Sequence, residues 1–412
     1  MDEPLDVVVV GAGAAGLAAA IFGARRTPGL RVCVLDGAAK VGAKILVSGG
    51  GRCNVTHEAV EAADFWGGSP NVVRRILSAF PVERTVAFFK EIGVALHVEE
   101  RGKLFPDSNS ARTVLDALLA EARRLGVELR SAHRVTAVAR RDGLFHLSSS
   151  GGELRARRAV LATGGLSLPK TGSDGLGYRL AASLGHSLVP TTPGLEPLLL
   201  EGDFHASLSG IAHPVRISVR SDGLKPALLE GPMLWTHFGI SGPAALDASR
   251  HWQRARLEGS AVKVTVNLLP ENDFPAMESK LLQLARSQPR TQLRNTLSAL
   301  LPGKVAEAVL ARLKLRGDTT MANLSREDRR TLAQALLEWP LPVLGGRGYT
   351  FAEVTAGGVP LTEVDPSTLG SRRCPGLYFC GEILDVDGRL GGFNFQWAWS
   401  SGWVVGSALA RA

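Results

Sequence analysis

The sequence predicts an α/β fold whose core is assembled from both chain ends and interrupted by a long insert. Three observations carry this. Asp6-Val-Val-Val-Val10 runs directly into Gly11-Ala-Gly-Ala-Ala-Gly16; a β-branched run of this kind reads as a buried parallel strand. Two later apolar runs, Ala159–Ala162 and Gly376–Cys380, also end in glycine turns, Thr163-Gly164-Gly165 and Gly381-Glu382. Between them, from about Val189 to Arg347, the texture changes to prolines and short strand-like runs, and then to a helical stretch.

In chain order, Leu17–Arg26 continues the first glycine turn as a helix, and Leu30–Leu35 is a second strand ending at Asp36. Val72–Phe80 and Val82–Ile92 read as helices. Leu96–Glu100 and Lys103–Phe105 read as a hairpin closed near Gly102. Ala111–Leu125 is an amphipathic helix, and Arg130–Ala139 and Leu144–Ser149 alternate as antiparallel strands do. Val215–Val219 and Lys263–Val266 are strands of the insert. Met277–Ser287, Gln292–Ala299, Val305–Leu313 and Arg326–Glu338 are helices, and Gln396–Ala410 is the final helix. The expected domains are 1–188 with 348–412, 189–271 with 340–347, and 272–339.

Composition narrows the class. The chain has 412 residues, 45% hydrophobic and 21% charged, which excludes a wholly disordered protein. Its 47 glycines follow no Gly-X-Y repeat. No apolar stretch reaches the roughly 18 residues of a membrane span, and Val7–Val10 is too short and too acidic in its approach for a signal peptide. Four cysteines without a CxxC pair give neither a disulfide framework nor a metal site and suit a reducing cytoplasm. The net charge is +8, and Lys280–Arg330 alone holds eleven Lys/Arg against four Asp/Glu.

The first turn is the most specific signal. Gly11-x-Gly13-x-x-Gly16 follows a strand and opens a helix, with Ala14 and Ala15 in its first turn, and Asp36 lies twenty residues after Gly16. That is the dinucleotide fingerprint: glycines let the backbone reach a pyrophosphate, and the acid accepts from a ribose. Thr163, Gly164 and Gly165, and later Gly381, Glu382 and Asp385, favour FAD, the late carboxylates serving the ribityl or phosphate region. The helix after Gly391 and Gly392, with Phe393 and Asn394, aims its N–H groups at the flavin. No second GxGxxG exists, so NAD(P)H would act as a transient reductant at the flavin face.

Lys44 to Thr56 contains Ser48, Gly49, Gly50, Gly51, Arg52, Cys53 and Asn54, a loop suited to press against a flavin ring. Cys53 is either a proton donor or a buried small residue, and Asn54 either meets the flavin edge or turns the loop. His237 is either an acid facing substrate or a structural histidine. Lys103 either binds a phosphate or caps its hairpin. Trp397, Trp399 and Trp403 read as core rather than as a base-stacking platform.

The strings KILVSGGGRCNVT, LATGGLSLPKTGSDGLGY, THFGISGPAAL, AEVTAGGV and GLYFCGEILDVDGRLGGFNFQWAWSSG resemble the YhiN/BaiN/RdsA flavoprotein family, from Val7 to about Gly406. The resemblance implies FAD, a Rossmann-like core of the two-dinucleotide-binding-domain flavoprotein type, a β-barrel-like insert and a small helical domain. It also implies reduction of a C=C bond, in a steroid enone or in a uridine of large-subunit (23S) ribosomal RNA, and GGFNFQWAWSSG is closer to the ribosomal RNA members. On that expectation the basic helices hold ribosomal RNA, with no role for DNA. The other classes left open are a small-molecule enoyl reductase, with those helices a solvated lid, and a non-catalytic flavin-bearing RNA-binding factor.

Overall fold

The computed structural model describes residues 3–223 and 225–410, which fold as two compact units, Met1–Pro193 with Glu353–Ala412 and Gly194–Ala352. In the first unit, β1 (Leu5–Val10) leads through a glycine turn into α1 (Ala14–Arg26) and back into β2 (Val32–Leu35). Val7, Val8 and Val9 are fully buried, as a strand covered on both faces must be. The sheet runs Glu128–Arg130, β2, β1, Gly152–Leu161, Leu144–Ser149, Val135–Arg141, and Leu377–Phe379 pairs with the far end of Gly152–Leu161. All pairs except the last two of the meander are parallel.

The expected strand Arg130–Ala139 is two strands. Glu128–Arg130 runs parallel to β2, and Val135–Arg141 starts the antiparallel meander. Ala132 stands between them at φ 55° and donates to the Ala38 carbonyl. That left-handed turn breaks the alternation that had suggested one strand.

The second unit is built on a seven-stranded sheet, but it also contains the helix Pro243–Leu257, which the reading of short strands missed. Its start signal was present: Gly242 at φ 83° followed by proline at the first helical position. The basic helical segment, expected as a third domain, shares one core with this sheet. Met277, Leu297, Val309 and Leu336 cluster with Val215, Trp235 and Val266.

The helix Phe393–Leu409 packs along α1. It starts three residues before the expected Gln396, because Gly392 rather than a later residue opens it. A Cβ on Gly402 would stand 2.8 Å from the Ala15 carbonyl oxygen, and one on Gly406 would stand 2.8 Å from both Ala19 O and Gly23 N. The two backbones approach closely because both positions lack a side chain. Gly406→Leu should therefore lower stability by about 1–3 kcal/mol or more, read as a lower urea midpoint with an unchanged slope.

Behind the sheet, the buried Glu363 accepts from His186 Nδ1 at 2.8 Å, from Ser187 Oγ at 2.6 Å and from Arg373 at 2.6 Å. Desolvation works against its charge, but these donors prevail and hold its pKa at about 2. Burial pulls His186 below its ordinary 6.5. Both groups bind protons more readily when unfolded, so their contribution is complete at neutral pH. It falls as pH drops below about 6.5 and then from about 4.5 toward 2. Urea unfolding between pH 7 and pH 3 should show a steeper acid loss in the native chain than in Glu363→Gln.

Candidate active site

Four segments leave the parallel strands at one edge. Val10 lies beside Leu35 and Leu161 in register, and Leu161 lies beside Phe379. The chain therefore delivers Gly11–Gly16, Asp36, Thr163–Gly165 and Gly381–Glu382 to the carboxyl ends of adjacent strands, where open α/β sheets bind ligands. A Cβ on Gly11 would collide with the Ala162 carbonyl, and one on Gly16 with the Gly11 carbonyl, whereas one on Gly13 meets nothing within 4 Å. Gly11 and Gly16 fix the turn, and Gly13 leaves open space at the start of α1. Ala14 and Ala15 form the first turn of that helix, which has no side-chain cap. The Asp36 carboxylate accepts Ala12 N and Ala38 N, each at 2.8 Å, one bond to each oxygen, so each retains a lone pair for a further donor.

A second cluster locks two of these segments together. Glu382 accepts Lys44 Nζ at 2.6 Å on one oxygen, and Ser167 Oγ and Thr355 N, both at 2.9 Å, on the other. Lys44 also donates to Ser167 Oγ at 2.7 Å. Glu382 and Lys44 were both expected at the cofactor; in the structure they face each other. Thr355 Oγ1 accepts Leu166 N and Ser167 N, and its hydroxyl sits where a Gly165 Cβ would stand. Ser167 and Thr355 were missed, although both lie in motif strings that carried the family resemblance. Asp385 is buried, with its backbone carbonyl accepting Gly68 N.

The loop after Lys44 forms a third cluster. The helix Ala43–Gly51 breaks at Ser48, Gly49 and Gly50, the two glycines at φ 55° and 68°. Gly49, Gly50 and Gly51 are exposed. Arg52 pairs with Glu99 at 2.6 Å and lies 4.1 Å from the Phe105 ring centroid. Cys53 sits at φ 63° and is fully buried. Burial pushes its thiol up to about 12, against a weaker opposing hydrogen bond with Ser48. This enclosure suits the packing reading of Cys53.

Asn54 is different. Its amide oxygen is buried without a hydrogen-bond partner among the described residues. It lies 2.8 Å from where a Cβ on Gly392 would stand. Gly391 and Gly392, at φ 123° and 97°, open the helix Phe393–Leu409, which has no side-chain cap. An unsatisfied buried acceptor costs about 1–3 kcal/mol, and here it stands close to the turn that opens an uncapped helix. The Lys103 stem passes the same turn, 3.5 Å from a Cβ on Gly391. Phe393 and Asn394, expected at the cofactor, help to build the turn itself. Phe393 is buried and stacks on His57 at 4.7 Å, and the Asn394 amide bonds both ways to Gly388. Trp397 and Trp399 are core, donating to Gly381 O and Val55 O. His237 belongs to the second unit, where it is exposed and meets Phe238 edge-on at 5.0 Å.

The HI0933-like protein Rossmann domain family matches residues 5–408 of this chain. The chain is 36% identical over 413 residues to the ribosomal RNA dihydrouridine synthase of Escherichia coli, covering 100% of this chain and 99% of that one. It is 34% identical over 404 residues to the 3-dehydro-bile acid delta(4,6)-reductase of Clostridium scindens, covering 98% of each. Among solved structures it matches the 3-ketosteroid delta1-dehydrogenase of Sterolibacterium denitrificans with a TM-score of 0.52 at 13% identity over the whole of both chains, a likeness of fold alone. With a Rossmann-type FAD-binding fold and a family match across nearly its whole length, the chain belongs to the HI0933-like family.

Proposed function

We propose that this chain is an FAD-dependent oxidoreductase that reduces a uridine of large-subunit (23S) ribosomal RNA to dihydrouridine, with NAD(P)H as transient reductant. The observation that carries the reading is the 36% identity to a ribosomal RNA dihydrouridine synthase, which extends over both units. The cofactor edge fits FAD. Asp36 retains acceptor capacity for ribose hydroxyls, and the open space at Gly13 faces the uncapped start of α1, which suits a pyrophosphate. The unpartnered Asn54 oxygen suits an N–H of the ring's polar edge, and the uncapped helix at Gly392 favours negative charge beside it. Bound there, reduced FAD supplies the hydride for uracil C6.

In this reading Gly49–Gly51 stay exposed so that the loop can lie against the ring, with Arg52 held by Glu99 and Phe105. The lock between Lys44 and Glu382 keeps the Thr163–Gly165 and Gly381 turns in place. Arg286, Arg290, Arg294, Lys304, Arg312 and Lys314 are exposed on the basic helices and their connecting turns and take RNA phosphates. The second reading is an enoyl reductase for a small conjugated ketone, favoured by the 34% identity to the bile acid reductase. There the basic helices only solvate the surface.

The purified protein should be yellow, with one FAD per chain. Asp36→Ala should weaken FAD retention by about 1.5–3 kcal/mol, the range for a hydrogen bond to a charged group, measured by equilibrium dialysis. A protein that stays colourless after FAD titration overturns the cofactor assignment.

Dihydrouridine formation on deproteinised ribosomal RNA separates the two substrates. Wild type should form it in the presence of NAD(P)H, and Arg312→Glu with Lys314→Glu should flatten the log–log salt dependence of RNA binding by roughly 0.7 per lost contact. Turnover on a conjugated ketone, with no dihydrouridine formed, moves the assignment to the small-molecule reductase.

A further inference from the structure

The second unit carries an exposed aromatic and cationic cluster. Its short strand Leu198–Leu200 lies between Gly239–Ser241 and Val343–Gly346, with Leu198 beside both Ile240 and Gly346. That register sets two turns next to one another. In one, the Phe238 carbonyl accepts Leu200 N at 3.1 Å. In the other, Gly345–Gly348 is fastened from beneath by Glu196, which is fully buried. The Glu196 carboxylate accepts the Gln253 amide and the backbone N–H groups of Gly348 and Arg347. A Cβ on Gly346 would collide with that carboxylate, so the turn requires glycine there.

This anchoring fixes the backbone of Arg347 while its side chain stays at the surface. Its guanidinium carbon lies 3.5 Å from the Phe351 ring centroid and 4.7 Å from that of Phe238. Phe351 is 44% exposed, and Phe238 leads edge-on to the exposed His237. Arg25, Arg52, Arg134 and Arg216 all pair with acids. Among the described residues the Arg347 guanidinium has no carboxylate and no hydrogen-bond acceptor. It is held by ring faces, and its N–H edge is available to an anion.

A base stacks on an aromatic face whatever its identity, and a guanidinium fork matches two phosphate oxygens. An exposed ring beside an unpaired arginine therefore offers both contacts that one unstacked nucleotide needs. We propose that Phe238, Arg347 and Phe351 form a platform for single-stranded RNA, in which one unstacked base of the substrate strand stacks on Phe351 and its phosphate binds Arg347. The proposal rests on the reading of this chain as an RNA-modifying enzyme. Paired RNA keeps its base faces stacked inside the helix, so the platform selects an opened strand. The basic helices, by contrast, bind phosphates of either form.

The test uses the FAD-loaded full-length protein and a fluorescently labelled ten-residue oligouridylate, with a hairpin duplex of the same length as comparison. Phe351→Ala should weaken oligouridylate binding about tenfold or more and leave duplex binding unchanged, and Phe351→Tyr should restore it. Arg347→Gln should weaken it and reduce the log–log salt slope by about 0.7. Thermal unfolding and the flavin absorbance of each variant report whether the fold is intact. Oligouridylate affinity unchanged in Phe351→Ala and Arg347→Gln overturns the platform, even where wild type forms dihydrouridine. No oligouridylate binding by wild type overturns it as well, and so does a change in sedimentation without a change in RNA affinity, which marks the patch as a self-association surface. Loss of binding in the variants of a wild type that forms no dihydrouridine keeps the platform and overturns the proposed reaction.

Discussion

The close approach of α1 to the C-terminal helix is the constraint from which the first unit is arranged. Two glycines, Gly402 and Gly406, remove the side chains that would hold the helices apart. From there a series of tight fits extends toward the sheet edge. Ser401 Oγ accepts Gly381 N, Trp397 donates to Gly381 O, and a Cβ on Gly381 would stand 2.6 Å from that of Ala15. The turn after the last parallel strand is thus positioned by the helix that comes next in the chain. The same packing puts the uncapped ends at Gly13 and Gly392 in one unit as two separate sources of free N–H groups.

A buried polar network sets the register of that helix. Gln396 accepts Thr56 Oγ1 at 2.7 Å and Thr85 Oγ1 at 3.0 Å, and its amide donates to Phe80 O and Ser400 Oγ. Apolar residues alone would tolerate sliding; a fully bonded amide does not. The Asn54–Thr56 loop is fixed against the helix by the same bonds, with Trp399 donating to Val55 O. The polar residues in an otherwise apolar helix therefore bear on the shape of the cofactor edge.

The chain shows unevenly in its sequence what it folds into. The β1–α1–β2 unit was readable because its signals are local: four valines, a glycine turn, and an acid at the end of the next strand. Glu382 was readable as important but not in its partners, since nothing near it in sequence announces Lys44 or Ser167. Asn394 and Phe393 sat in a recognisable motif, and the bonds of Asn394 to Gly388 and the stacking of Phe393 on His57 became visible only in the fold. The break at Ala132 and the anchoring of Arg347 by Glu196 depend on partners far away along the chain, and no periodicity encodes them. The enclosure of Cys53 was likewise invisible in the sequence.

The split of the first unit around the second has a bearing on how the molecule comes into being. Strand Gly152–Leu161 must wait for Leu377–Phe379, and α1 for the helix Phe393–Leu409, until the whole of Gly194–Ala352 has been synthesised. The inserted unit owns a complete core of its own and can mature while its host is still missing an edge strand and a helix. During synthesis the apolar flank of α1 stays uncovered until the helix Phe393–Leu409 is made, and unsatisfied surface of that kind invites aggregation. The segment that closes the first unit follows the insert in the chain, so a nascent chain holds a finished inserted unit before it holds a finished cofactor edge.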